Sequence, residues 1–91
     1  MNKAELITSM AEKSNLTKKD AELALKAFIE SVSETLENGD KVQLVGFGTF
    51  ETRVRAEREG RNPRTTEVIK IPASIAPVFK PGKELKERVN A

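Results

Sequence analysis

Five arginines fall within a short stretch, Arg53, Arg55, Arg58, Arg61 and Arg64, and Arg88 is the one other in the 91-residue chain. A guanidinium is a planar fork that matches phosphate oxygens and enters narrow grooves, which lysine does less well. The last two arginines sit in Gly60-Arg61-Asn62-Pro63-Arg64-Thr65. There Gly and Asn permit left-handed backbone, and Pro fixes φ near a turn value. Lys70 follows on the way back. Turn geometry requires none of these cations. The chemistry on offer is phosphate binding around a hairpin tip, and the natural ligand for it is nucleic acid.

Other chemistries lack their parts. The chain has no His and no Cys, so the usual general base, the thiol nucleophile and the thiolate metal site are absent. No catalytic residue, metal or cofactor is expected, and the chain reads as a non-enzyme. Neither phosphate-loop glycine pattern occurs. RNA recognition usually relies on aromatic stacking; Tyr and Trp are absent, and the four Phe occupy core-like positions. RNA is therefore a secondary partner. The bland alternative is that the arm cations are a solvated edge that resists aggregation. The bias toward arginine and the proline at the tip speak against it.

Net charge is only +2, but its distribution is uneven. Residues 1–40 carry five lysines against eight carboxylates, while residues 41–91 carry eleven cations against six glutamates. One half of the chain is set up for a polyanion. No long apolar run or N-terminal signal pattern is present. A soluble, cytoplasmic protein with no membrane partner is expected.

The elements that must hold these groups are legible from spacing. Asn2 and Glu5 fit a helix start, and Leu6, Ile7, Met10 and Ala11 recur at helical spacing over 3–13. Thr17 caps a second helix with Asp20 near its positive end. Ala21, Leu25, Phe28, Val32 and Leu36 form its apolar stripe, and Asn38-Gly39 stops it. From Lys41 the period becomes two. Val42 and Leu44 mark a short strand, and Gly46-Phe47-Gly48 a tight turn. Phe50, Thr52, Val54 and Ala56 then share one face, with Glu51, Arg53 and Arg55 on the other. Residues 67–71 read as the returning strand. Pro72 and Pro77 imply kinks or edge pairing, and Val78 and Phe79 return to the core. Pro81-Gly82 opens a last helix from Lys83 to about Val89.

The expected fold is α+β in one domain, 1–91. A helical hairpin (1–40) serves dimerisation, an antiparallel sheet (41–82) carries a protruding β-ribbon arm at about 52–72, and a short helix (83–91) closes the chain. Extended, the arm would reach about 30 Å. Arg58 and Arg61 break the alternation set by Arg53 and Arg55. Either a bulge turns the strand near Glu57 or the arginines point to several sides. With the arm projecting, too little chain remains for an ample core, so an intertwined homodimer is expected. Its core would gather Phe28, Leu36, Leu44, Phe47, Phe50 and Phe79.

Taken together, Gly46-Phe47-Gly48-Thr49-Phe50, the run Arg53 to Arg58, Gly60 to Thr65 and Phe79-Lys80-Pro81-Gly82-Lys83-Glu84-Leu85 resemble the HU family of bacterial histone-like DNA-binding proteins, related to integration host factor. The likeness covers essentially the whole chain. It implies a dimer whose two arms enter the minor groove and bend duplex DNA with little sequence preference, compacting the nucleoid. It assigns the wedge between base pairs to Pro63, the tip to Asn62, and groove contacts to Arg53, Arg55, Arg58 and Arg61. Lys3, Lys80 and Lys83 would hold flanking phosphates. Arg64, Thr65 and Thr66 stand where the family often has Gln, Thr and Gly, and Arg64 adds charge beside the wedge. Nicked, bent or junction DNA should bind better, because part of the bending cost is already met.

Overall fold

The computed structural model describes residues 1–61, 64–65 and 67–91 and divides into two compact units, Met1–Thr35 and Leu36–Ala91. The first is helical. In α1 (Lys3–Ser14), the Glu5 N–H donates to Asn2 Oδ1 at 2.9 Å, so Asn2 is the N-cap. Asn15 ends the helix at φ 59°, a left-handed conformation that Asn tolerates. α2 (Lys18–Glu37) begins with the Asp20 N–H donating to Thr17 Oγ1 at 3.1 Å. Among the described residues, the buried hydrophobic side chains are Ala11, Ala21 and Leu25. Phe28 and Ile29, further along α2, keep 42% and 50% of their surface exposed.

The second unit begins at Leu36, within the last turn of α2. Gly39 takes φ +76° and its N–H donates to the Leu36 carbonyl at 3.0 Å, the arrangement in which glycine ends a helix without strain. β1 (Val42–Leu44) turns into β2 (Gly48–Arg55), and the Phe47 N–H donates to the Leu44 carbonyl at 3.0 Å. Gly46 sits inside that turn at φ +85°. The turn is therefore Val45–Phe47, and Gly48 belongs to the strand. A Cβ at Gly48 would lie 2.5 Å from the Phe79 ring and 2.6 Å from the Lys80 carbonyl. Glycine is needed there because the sheet packs directly on it.

β3 (Arg58–Arg61) and β4 (Val68–Ile71) form the outer ribbon, β5 (Ser74–Pro81) returns beside β2, and α3 (Lys83–Val89) closes the unit. All pairings are antiparallel, in the orders β1-β2-β5 and β3-β4. β1 reaches only as far as Phe50. From Glu51 outward the ladder has two strands. Pro77 is accommodated because β5 is an edge. The Gly82 N–H donates to the Phe47 carbonyl at 2.7 Å, joining the start of α3 to the turn after β1.

The α+β architecture is as expected, with two refinements. Val78 and Phe79 do not both return to the core. Phe79 stands opposite Phe50, while Val78 stands opposite Glu51 on the polar face, since adjacent strand residues point to opposite sides. Nor does a bulge turn the arm. Arg55 faces Ser74 and Arg58 faces Ile71, with two residues on each strand between them, so pairing resumes without slippage.

Candidate nucleic-acid interface

Alternation along β2 and β5 sorts the sheet into two faces. One carries Val42, Leu44, Phe50, Val54, Ile75 and Phe79. The other carries Thr49, Glu51, Arg53 and Arg55 from β2, with Lys80, Val78, Ala76 and Ser74 opposite them in that order. Arg53 and Arg55 thus face small side chains, which leaves their guanidiniums room to extend. Lys80 joins them on the same face. This brings one residue of the chain's end to two of its middle.

The ribbon continues the display less uniformly. Arg58 lies opposite Ile71, and Arg61 lies opposite Val68. Three residues apart on one strand, these two arginines point to opposite sides. Of the two alternatives at Glu57, this is the second. Among the described residues, no carboxylate within 4.0 Å pairs with Arg53, Arg55, Arg58 or Arg61. Arg64 and Thr65 are exposed turn residues, and the Glu67 N–H lies 3.4 Å from Thr65 Oγ1. Asn62 and Pro63 lie outside the described residues.

The lysines are differently placed. Lys70 is 3.6 Å from Glu57, Lys83 is 3.9 Å from Glu87 one helical turn on, and Lys80 is 2.8 Å from Glu51. The Lys80 hydrogen bond holds the Glu51 carboxyl below its ordinary value. Desolvation opposes this, and the charges of Lys80, Lys41 and Arg53 add to it. Lys3, in the helical unit, lines an open cavity of about 630 Å³ together with Lys18, Lys19 and Glu22. Sequence analysis did not associate Lys18 and Lys19 with Lys3. They stand directly after the Thr17 cap, and that adjacency was the available signal.

Three of the apolar candidates, Phe47, Phe50 and Phe79, form a ring cluster that is only half covered. Phe79 packs between Phe47, at 5.4 Å between ring centroids, and Phe50, at 4.8 Å. Leu44, Phe47 and Phe79 remain 36%, 46% and 38% exposed; Leu36 and Phe50 are half-buried. Among the described residues, no group of His, Cys, Asp or Glu could hold a metal ion. No described helix is long and apolar enough to cross a membrane.

Comparison with known proteins matches this geometry. A family model described as bacterial DNA-binding protein matches residues 1–90. The chain is 81% identical over 90 residues to DNA-binding protein HU of Clostridium pasteurianum, covering 99% of each chain. It is 60% identical over 89 residues to DNA-binding protein HU of Geobacillus stearothermophilus, covering 98% of this chain and 99% of the relative. Among solved structures, the Anabaena HU–DNA cocrystal structure superposes with a TM-score of 0.91 at 52% identity, over 98% of this chain and 97% of that one. HU from Thermotoga maritima gives a TM-score of 0.68 at 40% identity, over 98% of both chains. With whole-chain matches in sequence and in fold, the chain belongs to the bacterial DNA-binding protein family that includes HU.

Proposed function

We propose that this chain is an architectural protein that binds double-stranded DNA as a homodimer, bending and compacting it in the nucleoid of the cytoplasm. Residues 1–91 act as a single DNA-binding domain. The observation that carries the reading is the cationic face, where Arg53, Arg55 and Lys80 share one side of a ribbon whose outer strands add Arg58 and Arg61. Its relatives reported above are named for DNA binding, not for a reaction.

The arms enter the minor groove, where the hydrogen-bond pattern is degenerate, so binding is nearly independent of sequence. Pro63 wedges between base pairs, Asn62 shapes the tip, and Arg53, Arg55, Arg58, Arg61 and Arg64 line the groove with Thr65 and Lys70. Lys3, Lys80 and Lys83 hold flanking phosphates. Selectivity follows deformability, so nicked and junction DNA bind better than intact linear duplex.

The dimer is supported by what a single chain leaves open. Among the described residues the buried hydrophobic core is two alanines and a leucine, too small to stabilise 91 residues. A second copy would cover Phe28, Leu36, Leu44, Phe47, Phe50 and Phe79.

Electrophoretic binding to linear, nicked and four-way-junction DNA at two salt concentrations tests the proposal, with RNA as competitor. Expected are a preference for distorted DNA and affinity that falls steeply with salt. Equal binding to RNA and junction DNA, or no binding at low salt, would overturn it.

A further inference from the structure

Three ion pairs each occupy a lysine assigned above to DNA: Lys70 with Glu57, Lys80 with Glu51, and Lys83 with Glu87. Two of them are loose, with every side chain more than half exposed. The third differs. Glu51 is only 26% exposed, its carboxylate lies 2.8 Å from Lys80 Nζ, and it stands on the same face as Arg53 and Arg55. Paired strands fix this geometry from both sides, since Thr49 faces Lys80 and Glu51 faces Val78.

We propose that Glu51 is an internal competitor for phosphate, which holds Lys80 and weakens the grip of the inner end of the cationic face on DNA. A phosphate that reaches Lys80 must share the ammonium with the Glu51 carboxylate or displace it. It then lies beside a negative charge two residues along the strand from Arg53, about 7 Å away. Pairs whose lysine stays mostly exposed are weak in water, so Glu51 acts as a brake rather than a lock. Binding then depends more on Arg58 and Arg61, for which no such carboxylate partner is found within the described residues. The opposite role, in which Glu51 aims Lys80 at a phosphate, predicts the reverse sign.

This inference rests on the DNA-binding reading, and a double-mutant cycle separates the two. Binding of the full chain to a labelled four-way junction is measured by fluorescence anisotropy for wild type, Glu51→Gln, Lys80→Gln and the double variant, at about 50 and 200 mM salt. With one pair in each of two subunits, Glu51→Gln is expected to tighten binding about two- to thirtyfold at the lower salt, with the gain shrinking at the higher as screening increases. Lys80→Gln should cost more in the Glu51→Gln background than in wild type. Unchanged or weaker binding by Glu51→Gln, or equal costs of Lys80→Gln in both backgrounds, would overturn the brake while leaving the DNA-binding reading intact. A folded wild type that ignores the junction would remove both. Glu51→Thr, which suits a strand, replaces Glu51→Gln if melting shows that glutamine disturbs the sheet.

Discussion

Phe50 stands directly opposite Phe79 across β2 and β5, with ring centroids 4.8 Å apart and planes tilted by 41°. Phe79 also touches Phe47, yet 38% of its surface is open in a single chain. A ring covered by a second subunit should be costly to remove, about 3–5 kcal/mol for Phe→Ala in a closed core. Phe79→Ala should therefore lower stability by more than about 2 kcal/mol, and the melting temperature of both proteins should rise with protein concentration. Calorimetry across a range of concentrations checks this. A small, concentration-independent change would mean that the ring stays half exposed.

Gly48 and Gly39 separate two reasons for glycine. At Gly48 an added methyl meets the Phe79 ring and the Lys80 carbonyl, while at Gly39 it meets nothing within 4 Å and only the positive φ opposes it. Gly48→Ala should cost about 1–3 kcal/mol through overpacking, with loss of the native Phe79 environment. Gly39→Ala should cost about 1 kcal/mol through backbone strain alone. Denaturant melts, with proton chemical shifts of the Phe79 ring as reporter, distinguish the two.

These glycines also mark what could be read from the chain. Caps are local chemistry, so Asn2, Thr17 and Gly39 announced their helix ends in the sequence. Alternation is local as well, and it placed Arg53 and Arg55 together correctly. Pairing across strands is not local. That Val78 lies beside Glu51, or that Lys80 comes within 2.8 Å of it, depends on the register of a return strand more than twenty residues away. The same holds for Lys18 and Lys19, which join Lys3 only once two helices fold against a shared cavity. The even gap at 56–57 and 72–73 was ambiguous because one strand alone cannot reveal whether its partner skips too.

The Glu51–Lys80 pair has a defined acid signature. The Glu51 carboxyl is held down chiefly by the Lys80 hydrogen bond, with help from the charges of Lys80, Lys41 and Arg53. A group whose folded value is lowered stabilises the fold above its unfolded value and loses that contribution as pH falls through the folded one. The contribution should be complete well above the ordinary glutamate value of 4.5 and be lost as pH falls through the lowered one. Thermal melts of wild type and Glu51→Gln should differ by a constant amount near neutral pH and converge in acid. A difference that grows in acid would contradict the assignment.

Phosphate binding by the inner arginines should be visible in salt dependence. Each phosphate neutralised contributes a slope of about −0.9 to log affinity against log salt. Arg55→Ala removes one cation per subunit, so a dimer using both should lose about 1.8 in the magnitude of that slope, with similar weakening on unrelated duplexes. Titrations on two unrelated sequences check both parts. An effect confined to one sequence would point to base readout.

Pro63 separates bending from grip. Its ring carries no charge, so replacing it leaves the counterion release of the arm arginines untouched, and most of the affinity comes from that release. Under the proposed mode, Pro63→Ala would remove a rigid apolar wedge, and with it the unstacking of base pairs that kinks the duplex. Ring closure of short DNA should therefore fall sharply, while affinity for linear duplex changes by less than about tenfold. Affinity for a pre-nicked duplex should change least, because the nick already supplies the unstacking that the wedge would otherwise have to drive. Undiminished ring closure by Pro63→Ala would assign the bend to phosphate neutralisation along the arms alone.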